Sequence, residues 1–111
     1  MNKDDDLEKL DFYLNAKFEF TESILVSNLV IIPERTEFIK MLNTLNKYEI
    51  EMLYNHFHMS SITEDINRQR KYVVLIWNRW RLFFEKNMSE KNIIIKINDS
   101  NFEVVIYACE A

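Results

Sequence analysis

The longest helical pattern in the chain lies between about residues 61 and 86. At about 100° per residue, most of its large apolar side chains fall on one face. That face contains Ile62, Ile66, Val73, Ile76, Trp77, Trp80, Phe83 and Phe84. Val74 and Leu75 make the opposite side apolar too, so we expect the middle of the segment to be covered on most sides. The pattern predicts a long central helix that is packed against the other elements, with Trp80 fully buried.

The beginning of this helix is predicted near residue 61. Ser61 or Thr63 can cap the free amides of the first turn. Glu64 and Asp65 would then lie in that turn, where the helix dipole favours negative charge.

The C-terminal quarter contains two β-rich runs, at about residues 91–97 and 102–109, separated by four polar residues. Asn and Asp tolerate tight turns, so the pattern predicts an antiparallel hairpin. The second run carries one charge, Glu103, and would be open to pairing with another chain if it formed an edge. We therefore expect either a homodimer or burial of this strand in a sheet that includes residues 17–32.

The remaining segments predict smaller elements. Residues 3–16 have leucines at helical spacing and indicate a short acidic helix, and residues 34–58 indicate two short helices or one bent helix. Residues 17–32 are apolar and β-branched, which favours extended structure with a hairpin turn at Ser27 and Asn28, although a short helix from Glu22 is the alternative. Together these elements predict one α+β domain over residues 1–111, with three to four helices on a small antiparallel sheet.

The absence of glycine excludes two classes of nucleotide site. Phosphate-binding loops and dinucleotide fingerprints need glycine because the backbone must approach the ligand closely. Turns that require positive φ must use other residues, and Asn or Asp are expected there.

Cysteine and histidine give no indication of a catalytic or metal site. Cys109 is the only cysteine, so an internal disulfide is excluded, and its apolar neighbours predict a buried side chain. His56 and His58 would point about 200° apart on a helix and could not share a metal there. An extended pair could, but no second pair of ligands is nearby in sequence. We expect no cofactor, no metal and no enzymatic activity.

The hydrophobic pattern also bears on location. The first ten residues lack the apolar run of a secretory signal, and no stretch approaches the roughly 18 apolar residues of a membrane span. A cytoplasmic protein without a membrane partner is the expectation.

Charge is divided unevenly along the chain. Residues 1–66 carry 13 acidic and 6 basic side chains, a balance of −7, and residues 67–111 carry 5 and 8, a balance of +3. This asymmetry favours a small acidic module that binds a basic protein, such as an inhibitor, an immunity protein or an antitoxin that neutralises a nuclease. The candidate partner-binding residues are Asp5, Glu8, Asp11, Glu49, Glu51, Glu64 and Asp65.

Two other functions are kept as alternatives. A nucleic-acid-associated regulator could use the arginines of the central helix, in which Arg70 and Arg81 flank the apolar stripe on one side while Arg68 and Arg79 lie beyond the other. The two pairs do not form one patch, and the chain is acidic overall, which argues against this function. An enzyme whose site has no recognisable motif is the remaining alternative.

Overall fold

A computed structural model describes residues 3–111, with side chains in the first helix described from Asp5 onward. Within this range the helices are α1 (Lys3–Leu14), α2 (Arg35–Thr44), α3 (Lys47–Asn55) and α4 (Ile66–Asn87). The strands are β1 (Phe18–Thr21), β2 (Ile24–Ser27), β3 (His56–His58), β4 (Ile93–Asp99) and β5 (Val104–Glu110). The α+β class, the long central helix and the C-terminal hairpin are confirmed.

The central helix α4 begins five residues later than the sequence pattern predicts. Asp65 is its N-cap, and the carboxylate accepts the amides of Asn67 and Arg68 at 2.9 and 3.2 Å. The preceding residues, Met59–Ser61, form a short 3-10 helix instead. Asp65 therefore stabilises the first turn from outside the helix.

One face of α4 is buried as predicted, and the other is not. Val73, Ile76 and Trp80 are buried, and Trp80 has 0 % of its surface exposed. Val74 and Leu75, however, are each 50 % exposed. The prediction that the middle of the helix is covered on most sides is wrong, because its outer side faces solvent.

A large core, here called the main core, surrounds the buried face of α4. It joins α4 to α1, β1, the 3-10 helix and β5. Phe18 packs against Trp80 and Phe84, with ring centroids 5.0 and 4.7 Å away. The Trp80 indole Nε1 donates to the Tyr13 carbonyl at 3.0 Å, so its one polar atom is satisfied inside the core.

The C-terminal hairpin belongs to a three-stranded antiparallel sheet in the order β3-β5-β4. Strand β5 is therefore central and not an edge. Its second neighbour is β3, however, and not the segment 17–32 as predicted. The reason is that α3 ends at Asn55, and the chain continues directly into a strand where helical spacing through Phe57 was expected.

Residues 17–32 contain the separate two-stranded hairpin β1-β2, which confirms extended structure there. The turn lies at Glu22 and Ser23, with φ of 51° and 68°, and not at Ser27 and Asn28 as predicted. Two-residue hairpin loops favour positive φ at both positions, normally supplied by Asn, Asp or Gly. Neither Glu nor Ser signals such a turn, which is why the sequence pattern misplaced it.

A smaller core, here called the second core, lies between β2, α2 and α3. Its buried residues are Ile24, Val26, Phe38, Ile50 and Tyr54. Buried polar groups of α3 hold the neighbouring strand. Asn55 accepts the Ser27 amide at 2.8 Å and donates to the Leu25 carbonyl at 2.7 Å. The edge of β2 that faces away from β1 therefore forms its hydrogen bonds with side chains of α3. No further strand can pair there.

Candidate partner-binding surface

Helix α1 is held against α4 by a buried carboxylate. Asp6 is fully buried, and its Oδ2 accepts from Arg68 at 3.3 Å and from the Tyr72 hydroxyl at 3.1 Å. Arg68 also lies 3.9 Å from Asp65. Because one guanidinium reaches both helices, the first turns of α1 and α4 lie side by side.

The exposed residues of α1 include both carboxylates and apolar side chains. Asp5, Glu8 and Asp11 are all exposed, and Leu7 and Phe12 of the same helix are 55 % and 54 % exposed. Among the side chains described, none of these three carboxylates takes part in an ion pair. Glu64 is exposed just before the start of α4, and it also forms no ion pair among the described side chains. We call these six residues the acidic face.

Two further candidate carboxylates have local structural roles. Asp65 caps α4, as described above. Glu49 is exposed on α3, where its carboxylate accepts the Asn46 amide at 3.1 Å in a reciprocal capping box. Helix α3 packs on β2 and β5, so Glu49 belongs to another part of the molecule than the acidic face.

Glu51 was expected on the surface, but it lies in the interior. Its side chain is 0 % exposed, with Oε2 accepting the Leu25 amide at 2.7 Å and Oε1 accepting the Glu110 amide at 2.9 Å. Burial raises the pKa of this carboxyl, and the two amide hydrogen bonds oppose the shift. Glu51 therefore joins β2 to β5 through α3 and cannot contact a partner.

The arginines of α4 are mostly engaged within the fold. The ion pairs are Arg68 with Asp6, Arg70 with Asp99 and Arg81 with Glu85. The Arg70 contact is bidentate, at 2.7 and 3.3 Å, and its hydrogen bond holds the pKa of Asp99 below the usual range. Of the four arginines considered for nucleic-acid binding, Arg79 is the one without an ion pair among the described residues.

A groove that the sequence pattern did not predict lies beside Arg79. Its volume is about 990 Å³, and it runs between the second half of α4, the end of α1 and the β1-β2 hairpin. We call it the basic groove, after three exposed cations that line it, Lys17, Arg79 and Lys86. Arg79, Leu82 and Lys86 share one side of α4, and that spacing was the available signal in the sequence.

His56 and His58 are two residues apart on β3, so their side chains lie on the same side of the sheet. Their ring centroids are 4.8 Å apart. His58 Nδ1 is 2.9 Å from Glu103 Oε2, which lowers the pKa of Glu103. Burial, followed by the charge of His58, lowers the pKa of His56. No group of three or more His, Cys, Asp or Glu side chains in the described residues is arranged to hold a metal ion.

Comparison with known proteins gave no match to a family model, to a curated protein or to a solved structure. Over the described part of the chain, every helix is too short or too polar to cross a membrane.

Proposed function

We propose that this protein is an acidic protein-binding module that occupies a basic surface of its partner, in the manner of an inhibitor, an immunity protein or an antitoxin directed at a nuclease. One observation supports this most directly. The carboxylates Asp5, Glu8, Asp11 and Glu64 are exposed and form no ion pair in the described structure, whereas three of the four candidate arginines each form an ion pair with a carboxylate of this chain. Lys9 is the one exposed cation among the described side chains of α1, so the net charge available to a partner on this side is negative.

The apolar members of the acidic face also favour a protein partner. Leu7 and Phe12, on the same helix as three of the carboxylates, are more than half exposed. Interfaces combine buried aromatic or aliphatic anchors with a polar rim, and the anchors supply most of the binding energy. Carboxylates around such anchors would steer a basic partner and fix its orientation. We expect Phe12 to be the main anchor.

The alternatives have weaker support. A nucleic-acid regulator would need the arginines that are paired within the fold. For an enzyme, the basic groove offers a volume of about 990 Å³, but its lining among the described residues contains no histidine or cysteine. A homodimer through β5 is also disfavoured, because β3 and β4 occupy both sides of that strand.

The test uses a partner isolated by co-purification from the native host and then produced in pure form. Association rates are measured by stopped flow at several salt concentrations, for the native protein and for Glu8→Lys/Asp11→Lys. Reversal of two charges should slow association by about tenfold at low salt and weaken its salt dependence. Phe12→Ala should mainly increase the dissociation rate.

The matched control is Glu34→Lys/Glu90→Lys, which changes the net charge equally at exposed positions outside the acidic face. Equal slowing by the two double variants would mean that net charge, and not this face, attracts the partner. The nucleic-acid alternative would replace the proposal if two results were found together. Nucleic acid would co-purify in a manner that depends on Arg79, and the acidic-face variants would bind the partner as the native protein does.

A further inference from the structure

We propose that the basic groove is a second binding site, which accepts an acidic amphipathic helix from another protein. This inference does not depend on the proposed function, because it concerns a different surface with the opposite charge.

The lining of the groove combines apolar side chains with cations. Leu82 is 54 % exposed, and Phe83, Val30 and Ile32, which also line the groove, are partly exposed. Protein interaction sites commonly combine apolar side chains with surrounding polar or charged groups. A volume of about 990 Å³ has room for several large apolar side chains of a ligand.

The cations in the lining indicate that the partner is negatively charged. Lys17, Arg79 and Lys86 are exposed and form no ion pair among the described residues, and Glu19 is the one carboxylate in the lining. A ligand that fills the groove must therefore bring negative charge together with apolar side chains. An amphipathic helix with leucines on one face and carboxylates at its borders has both, and such helices bind in grooves of this kind.

The mostly aliphatic lining also argues against a nucleic acid as the ligand of the groove. Single-stranded nucleic acids bind through aromatic stacking platforms in basic channels. Phe83 is the one partly exposed aromatic side chain in the described lining, since Phe18 is buried against Trp80. The remaining apolar lining suits leucine-type side chains better than bases.

The probe is a fluorescein-labelled synthetic helix with leucines at i, i+3, i+4 and i+7 and glutamates on the other positions, and a lysine version of the same peptide is the control ligand. Binding is followed by fluorescence anisotropy at low salt. We expect saturable binding of the glutamate peptide that depends on the groove cations, whereas any binding of the lysine peptide, at the acidic face, should not weaken in Arg79→Glu/Lys86→Glu. Arg79→Glu/Lys86→Glu should raise the Kd of the glutamate peptide at least tenfold, about 1.4 kcal/mol.

Two matched controls separate the groove from general effects. Lys40→Glu/Lys71→Glu has the same change in net charge at exposed positions outside the groove and should leave Kd within about twofold. Leu82→Ser should weaken binding, whereas Leu75→Ser, at a similarly exposed position of α4 outside the groove, should not. Circular dichroism checks that each variant is folded.

The proposal is overturned if the glutamate peptide shows no saturable binding up to about 1 mM, or if groove and control variants lose affinity equally. It is also overturned if single-stranded DNA, or vesicles of anionic phospholipid, bind more tightly than the peptide with the same dependence on Arg79 and Lys86. The groove would then be assigned to that class of ligand.

Discussion

The main core and the second core are attached to their strands in different ways. In the main core, α4 packs on β4 and β5 mostly through apolar side chains, and the polar atom of Trp80 is satisfied by one carbonyl. In the second core, α3 reaches the backbone of β2 and β5 through the buried polar groups of Glu51 and Asn55. The first attachment is non-directional and depends on buried area, whereas the second depends on hydrogen-bond geometry.

Truncation of the central tryptophan should produce the largest effect in the molecule. Trp80→Ala removes a fully buried ring in contact with Phe18 and Phe57. We expect a loss of about 3–5 kcal/mol in the free energy of unfolding, because transfer and cavity costs add. Urea unfolding followed by far-ultraviolet circular dichroism measures it.

Trp77→Ala is the control on the same helix. Trp77 is only partly buried, so its truncation should cost clearly less. If the two variants lose the same free energy, or if Trp80→Ala is nearly neutral, the main core is not organised around the face of α4 described here.

The contrast between the cores also explains what the sequence could predict. The buried face of α4 and the C-terminal hairpin follow from the spacing of apolar residues, a signal that is local and repeated. The turn at Glu22 and Ser23 has no such signal, since its positive φ is imposed by the pairing of the strands. The basic groove is formed by segments far apart in sequence and could be predicted only as one side of α4.

Two carboxylates of α3 show most clearly what the sequence pattern could not predict. Glu49 and Glu51 are two residues apart, and both were predicted to be exposed. Glu49 caps its own helix, whereas Glu51 is buried because the amides of Leu25 and Glu110, distant in sequence, need acceptors. Buried polar groups in proteins are normally hydrogen-bonded, but the sequence does not reveal which donor requires which acceptor.

Glu51→Gln should produce the next largest effect. The two amides that face Glu51 need two acceptor oxygens, and glutamine supplies one oxygen and one NH₂ group. One amide would be left facing a donor, so we expect a loss of about 1–3 kcal/mol. Glu64→Gln, an exposed change of the same chemistry, should cost less than about 0.5 kcal/mol. A neutral Glu51→Gln variant would mean that the two cores do not depend on this link.

The same pair of proteins should show a specific pH dependence. Burial raises the pKa of Glu51 above its ordinary value of 4.5, so the folded state binds this proton more tightly than the unfolded state. The stability advantage of the native protein over Glu51→Gln should therefore be greatest below pH 4.5 and decrease as the pH rises through the folded-state pKa. Taking the difference between the two proteins cancels the opposite contribution of Glu103, whose lowered pKa favours folding at higher pH. An advantage that grows with pH would contradict this shift.

Charge reversal on the acidic face should have the smallest effect on stability. Glu8 and Asp11 lie outside both cores and form no ion pair among the described residues. Exposed charges contribute little to folding, so Glu8→Lys/Asp11→Lys should change the free energy of unfolding by less than about 0.5 kcal/mol in the same urea assay. Asp6→Asn, one turn away but buried against Arg68, is the contrasting change and should cost more, because it weakens a buried charge pair. If Glu8→Lys/Asp11→Lys lost as much stability as is expected of Asp6→Asn, the exposed carboxylates of α1 would serve the fold and would not be free to bind a partner.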